Sequence, residues 1–187
     1  KEVIGGIYAA LQRFGVKNNN RILEPAMGTG NFFGYMPQEI LSGAKLYGVE
    51  LDEVTGKIAA KLYPQAKVQV KGFEETSFPQ DYFDIVVGNV PFGGYGVYDS
   101  EYSRQKFIIH DYFIAKSIDR VKPNGIVAVV TSKGTLDKLN PVARKYMAER
   151  AELLGAIRLP NNAFKQTANT EAVTDILFFQ KREEKIS

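Results

Sequence analysis

The stretch Glu24-Pro25-Ala26-Met27-Gly28-Thr29-Gly30-Asn31 decides the fold. Arg21-Ile22-Leu23 ahead of it is a short apolar run that reads as a buried strand. Gly28 and Gly30 then make a tight turn in which backbone can come close to a ligand. Asn31-Phe32-Phe33 opens a helix, and a second strand, Lys45-Leu46-Tyr47-Gly48-Val49, ends on Glu50. A strand, a glycine turn, a helix and a second strand ending in a carboxylate form a nucleoside-binding half-site. Glu24 to Asn31 line it, Glu50 can accept hydrogen bonds from both ribose hydroxyls, and Leu51 is placed to pack on the adenine. By itself the pattern serves a nicotinamide cofactor as well as S-adenosylmethionine.

Working outward, Val3, Ile4, Ile7, Leu11 and Phe14 recur at helical spacing ahead of the stretch. Behind it, Pro37 should kink or shorten the first crossover helix. Asp52 to Leu62 reads as the second helix, with Glu53 and Lys57 placed for an i,i+4 pair. Val68 to Val70 and Phe83 to Val87 read as strands, and Gly93 to Gln105 as a Gly- and Tyr-rich loop. Ile108, Tyr112, Ala115, Ile118 and Val121 mark one face of a long helix. Pro123-Asn124-Gly125 reads as a turn before the apolar strand Ile126 to Val130, and Asn140-Pro141 as a helix start. Leu153 to Leu159 and Asp175 to Gln180 complete the strands. Alternating strands and helices imply an α/β fold: a doubly wound, mostly parallel seven-stranded sheet with helices on both faces.

Composition narrows the possibilities. The chain has 187 residues, 44% of them hydrophobic and 12% aromatic, enough for one domain with a real core. No apolar run approaches the roughly 20 residues of a membrane span, and there is no signal-peptide pattern. The absence of cysteine excludes disulfides and thiolate metal sites and fits a cytoplasmic protein. A single histidine, His110, argues against a histidine-based metal centre, so no metal is expected; His110 itself reads as a structural or surface residue. The net charge of +3 is compatible with nucleic acid binding without demanding it. The chain lacks an initiator methionine and starts inside a helical pattern, so the sequence reads as one catalytic domain of a larger protein, without a target-recognition domain.

A second motif chooses the cofactor. The strand Phe83 to Gly88 runs into Asn89-Val90-Pro91-Phe92, at the carboxyl end of a strand, where open α/β sheets bind ligands. This resembles the Asn-Pro-Pro-Tyr/Phe motif of amino-group methyltransferases, chiefly DNA adenine-N6 methyltransferases, in the motif order of their gamma group. The closest likeness is to methylase subunits of type I restriction enzymes and to methylase segments of large helicase-methylase proteins on mobile elements. The likeness runs from about Arg21 to Lys181. It implies S-adenosylmethionine as cofactor and DNA as substrate, with helicase or specificity regions of the same larger protein as partners. The chemistry suits the residues. An exocyclic amine is a poor nucleophile because its lone pair is delocalised into the ring. The Asn89 side-chain oxygen and the Val90 carbonyl would accept its hydrogens and localise that pair, with Pro91 shaping the turn. Phe92 would stack on the extruded base. Val90 stands where the family has its first proline, keeping the carbonyl but not the fixed φ.

Further candidates surround this pair of motifs. In Gly72-Phe73-Glu74-Glu75, Phe73 occupies the place where the family often carries an acid near the adenine amino group; Phe73 could stack on the adenine, and Glu74 is the neighbouring acid. Tyr95, Tyr98, Tyr102, Arg104 and Lys106 mix aromatics with basic residues, as a single-strand binding surface or as a lid over the cofactor. Lys133, in Thr131-Ser132-Lys133-Gly134, lies on the same rim. Leu159 to Phe164 resembles a late motif of type I methylase subunits in which an aromatic lines the flipped-base pocket, making Phe164 the candidate. Two alternatives stay open: a protein glutamine-N5 methyltransferase, which uses the same motif on an amide nitrogen, and a non-catalytic cofactor-binding module of a larger protein.

Overall fold

The computed structural model describes residues 1–160 and 173–186. In chain order the elements are helix α1 (Glu2–Arg13), strand β1 (Arg21–Glu24), helices α2 (Asn31–Gly34) and α3 (Gln38–Leu41), then β2 (Lys45–Glu50). Helix α4 (Glu53–Leu62), β3 (Lys67–Val70) and β4 (Phe83–Asn89) follow, then α5 (Ile109–Arg120) and β5 (Val121–Ser132). Helices α6 (Gly134–Asp137) and α7 (Val142–Arg150) lead to β6 (Ala151–Arg158) and β7 (Thr174–Lys181). The sheet order is β3-β2-β1-β4-β5-β7-β6, with β1 to β5 parallel and β7 antiparallel to both its neighbours. The sheet is thus doubly wound and mostly parallel, with a closing antiparallel hairpin.

Period-2 alternation sends neighbouring strand residues to opposite faces. Ile22, Ile85, Val87, Ala128 and Phe178 join α1, α2, α3 and α4 in one core. Leu23, Val86, Val127, Val129 and Leu177 join α5 and α7 in the other. Local chemistry sets the helix ends. Asp52 caps α4 by accepting from the Thr55 amide at 2.7 Å, and Lys57 pairs with Glu53 as its spacing predicts. Pro37 splits the first crossover into two short helices and stands at the N-cap of α3. The Pro123-Asn124-Gly125 turn bulges out of β5: β4 pairs with Val121 and then resumes at Ile126, and Asn124 takes φ 64°. This winding puts the carboxyl ends of β1, β2 and β4 side by side at one edge.

Candidate cofactor and substrate site

The glycine turn is shaped by its own backbone. Gly28 has φ 54° and Gly30 φ 85°, left-handed conformations that disfavour any side chain. At Gly30 a Cβ would also run into the Tyr63 ring; at Gly28 it would meet nothing within 4 Å, so that turn faces open space. The Met27 amide donates to the Val49 carbonyl at 2.9 Å, locking the turn to the end of β2. Glu50 completes the lock. Its two oxygens accept from the Gly28 amide at 2.7 Å and the Asp52 amide at 2.9 Å. Each carboxylate oxygen has two lone pairs, so one on each remains for a ribose hydroxyl. Leu51 next to it is 74% exposed, free to cover a bound ring.

Glu24 gives the site its electrostatic character. It is buried at the end of β1, and its Oε2 has no hydrogen-bond partner. Burial drives its pKa well above the usual carboxylate range; the Phe32 amide opposes this, and nearby Glu50 adds to it. A buried carboxylate without a cation costs free energy that a positively charged ligand can offset. Pro25 and Met27 are buried beside it, Ala26 is half-buried, and Thr29 and Asn31 face solvent. Two residues that the sequence did not single out complete this floor. Tyr8 on α1 donates to the Phe32 carbonyl at 2.7 Å, and Tyr63 packs over Gly30 and Gly34. Both phenols are pushed up, by burial first and then by Glu24. Their signal lay in long-range packing, which a motif does not carry.

The Asn89 motif lies against this floor. A Cβ on Gly88 would stand 3.4 Å from Pro25 Cδ and 3.6 Å from Glu24 Cγ. Asn89 is exposed at the end of β4, Val90 is buried, Pro91 half-buried and Phe92 exposed. The Val90 amide donates to the Val130 carbonyl at 3.0 Å, extending the β4–β5 ladder past Asn89. A proline could not make this bond. Val90 therefore loses a fixed φ and gains a ladder hydrogen bond and a place in the core. Residue 90 also precedes a proline, which confines it to extended backbone.

The remaining candidates divide. Phe73, offered by the sequence as a stacking partner, is buried against Phe113 and Tyr112, so its ring is taken up by the core. The turn presents Glu74 instead, which is half-buried. Tyr98 is 81% exposed, and Tyr95, Arg104, Lys106 and Lys133 are exposed as well. Tyr102 departs from this group: it is buried, and its hydroxyl donates to Asp119 at 2.7 Å. The loop is pinned rather than loose, because Asp99 meets Lys116 and Tyr112, and Glu101 meets Arg120. Phe164 lies outside the described residues. His110, the lone histidine, is buried with both ring nitrogens unpartnered, and burial holds its pKa down at about 4. Among the described residues no cluster of three or more His, Asp and Glu side chains is placed to hold a metal. No helix described is long and apolar enough to cross a membrane.

The sheet order, the glycine turn and the Glu50 carboxylate define a Rossmann-like fold of the class I S-adenosylmethionine-dependent methyltransferases. The chain belongs to the N-6 DNA methylase family, whose model matches residues 2–187. It is 33% identical to defense against restriction protein B of Escherichia phage P1, over 97% of this chain and 8% of that protein. The chain thus spans about a twelfth of that relative. Among solved structures it resembles a candidate class I S-adenosylmethionine-dependent methyltransferase from Listeria monocytogenes, with TM-score 0.77 and 22% identity over all of this chain and 62% of that one. It also resembles the methyltransferase subunit of a type I restriction-modification system from Streptococcus thermophilus, with TM-score 0.75 and 20% identity over 95% of this chain and 43% of that one.

The residues fit S-adenosylmethionine, the cofactor of this class. Buried Glu24, with its Oε2 unpartnered, suits the cationic methionine end, and the amide-braced Glu50 suits the ribose. When bound, the cofactor supplies a methyl group on a sulfonium leaving group.

Proposed function

We propose that the chain transfers that methyl group to the exocyclic N6 amine of adenine in DNA. What supports the reading is that β4 runs beside β1 and that a Cβ added at Gly88, just before Asn89, would stand 3.4 Å from Pro25 and 3.6 Å from Glu24, so the motif and the glycine turn are neighbours. The Asn89 side-chain oxygen and the Val90 carbonyl would accept hydrogen bonds from the two amine N–H groups, concentrating the nitrogen lone pair for attack; one of these hydrogens leaves as a proton to solvent once the nitrogen carries the methyl group. The sulfonium is a strong leaving group, so no strong base is needed. Phe92 and Tyr98, both exposed, are the candidates to stack on the extruded base; Arg104 and Lys133 are the candidates to hold phosphate. On the cofactor side the roles fall to Glu24 through Asn31, Glu50, Leu51 and Glu74.

Membership of an N-6 DNA methylase family and likeness to a type I methylase subunit favour DNA over a protein acceptor. Helicase or specificity regions of a larger protein are the proposed partners. The test uses the intact protein with methyl-labelled cofactor and offers DNA and cell protein as competing acceptors. Label is expected in DNA. Label confined to protein would replace this reading with glutamine-N5 methylation, and cofactor binding with no transfer to either would leave a binding module.

A further inference from the structure

Lys116 on α5 is 1% exposed, a rare setting for an ammonium group. Its three donors are all used. Nζ donates to the Phe73 carbonyl at 2.8 Å, to Asp99 Oδ2 at 2.9 Å and to the Tyr112 hydroxyl at 3.1 Å. It also lies 4.9 Å from the centre of the Phe73 ring. Asp99 is held further by the Tyr112 hydroxyl at 2.7 Å and, through Oδ1, by the Glu101 amide at 3.0 Å. The Phe73 carbonyl also accepts the Thr76 hydroxyl at 2.7 Å. Burial alone would raise Asp99, but Lys116 and Tyr112 outweigh it and hold the carboxyl below its usual range.

What Lys116 joins gives the contact its meaning. Phe73 immediately precedes Glu74, the acid proposed on the cofactor side. Asp99 immediately follows Tyr98, the exposed aromatic proposed on the base side. One buried nitrogen therefore holds the backbone carbonyl that precedes Glu74 and the side-chain carboxylate that follows Tyr98. Taking a lysine out of water is costly unless its charge and its donors are all matched. Here they are matched across two segments, the turn at Phe73 and the loop at Asp99. Resting on the functional reading above, we propose that Lys116 is a positioning residue. It sets the cofactor turn and the substrate loop against each other, so that each ligand binds more tightly when the other is present. Such coupling is reciprocal by thermodynamic necessity.

The experiment titrates S-adenosylhomocysteine into the intact protein with and without a saturating DNA duplex. In the wild type, DNA should tighten S-adenosylhomocysteine at least about five-fold, the lower end of usual coupling. The Lys116→Met/Asp99→Asn double variant removes the bridge without leaving a lone buried charge. It should bind each ligand alone, with coupling reduced to less than about twofold. Asp99→Asn alone should fall between the two. Undiminished coupling in the double variant overturns the proposal; if that variant does not fold, undiminished coupling in Asp99→Asn does so. A wild type that binds both ligands independently refutes this proposal alone. A wild type that binds S-adenosylhomocysteine but no DNA refutes the DNA reading itself.

Discussion

The proposed cofactor side and the proposed substrate side of the site are built differently. The glycine turn and Glu50 are held by neighbours on two adjacent strands, almost wholly through backbone amides. Past the Val90 amide, the loop after Asn89 leaves the β4–β5 ladder. Side chains of α5 fix it: buried Lys116 on Asp99, buried Arg120 on Glu101, and half-buried Asp119, which accepts from Tyr102 on the loop and Tyr146 on α7. A turn that grips a common cofactor can be written in glycines and one acid. The loop is held by longer-range contacts, which can change without disturbing the glycine turn.

This comparison can be broken from either side. Asn89→Ala carries the largest expected effect. It removes an acceptor used only by the reacting amine, so methyl transfer should fall by about 10²-fold or more, the scale of losing one transition-state hydrogen bond. Calorimetry should find cofactor affinity unchanged; a parallel loss of cofactor binding would merge the two sides. Glu50→Ala attacks the other side. It should weaken S-adenosylmethionine by about 1–3 kcal/mol, the usual loss for hydrogen bonds to a charged group. Because Glu50 also braces the Gly28 amide, Glu50→Gln should recover part of that loss. Equal affinity in wild type and Glu50→Ala would remove Glu50 from the site.

Glu24 yields a pH dependence. Its pKa is raised in the folded protein, so the fold binds a proton more tightly than the unfolded chain. Stability of the cofactor-free protein should therefore be greatest at or below the ordinary glutamate range, and decline as pH rises toward the raised value. A bound cation favours the charged carboxylate and reverses this. Cofactor binding should release a proton and strengthen with pH over the same window. Titration in buffers of different ionisation heat measures that proton, and Glu24→Gln should abolish it. Binding heats independent of buffer would contradict the role. The smallest effect is expected for Val90→Pro, which restores the family residue but loses the bond to Val130. The net hydrogen bond is worth about 1 kcal/mol, so the melting temperature should drop by only a few degrees while transfer persists. Lost transfer in a folded Val90→Pro protein would show that the ladder bond sets the site.

The same contrast explains what was legible in the sequence. The Gly28-Thr29-Gly30 turn, Glu50 and the Asn89 motif are short-range patterns, and the structure puts them at one edge of the sheet. Pro37 and Asp52 act where local rules place them. Phe73 reads as a stacking partner for the adenine, and Tyr102 as part of a binding loop or lid, because nothing nearby shows that α5 will cover them. Tyr8, Tyr63 and Lys116 were invisible for the same reason: Tyr8 bonds a carbonyl 24 residues away, Lys116 a carboxylate 17 and a carbonyl 43 residues away, and Tyr63 packs across the crossover. The antiparallel course of β7 between β5 and β6 is likewise a matter of tertiary pairing, which its run of apolar residues does not encode.

The central claim is that the cofactor turn and the Asn89 motif form one site acting on adenine. The most direct test digests DNA to nucleosides after incubation with the intact protein and S-adenosylmethionine, and weighs the products by mass spectrometry. The account predicts N6-methyldeoxyadenosine as the methylated nucleoside, appearing only when cofactor is supplied. Methylation on cytosine, or unmodified DNA alongside methylated protein, would contradict it.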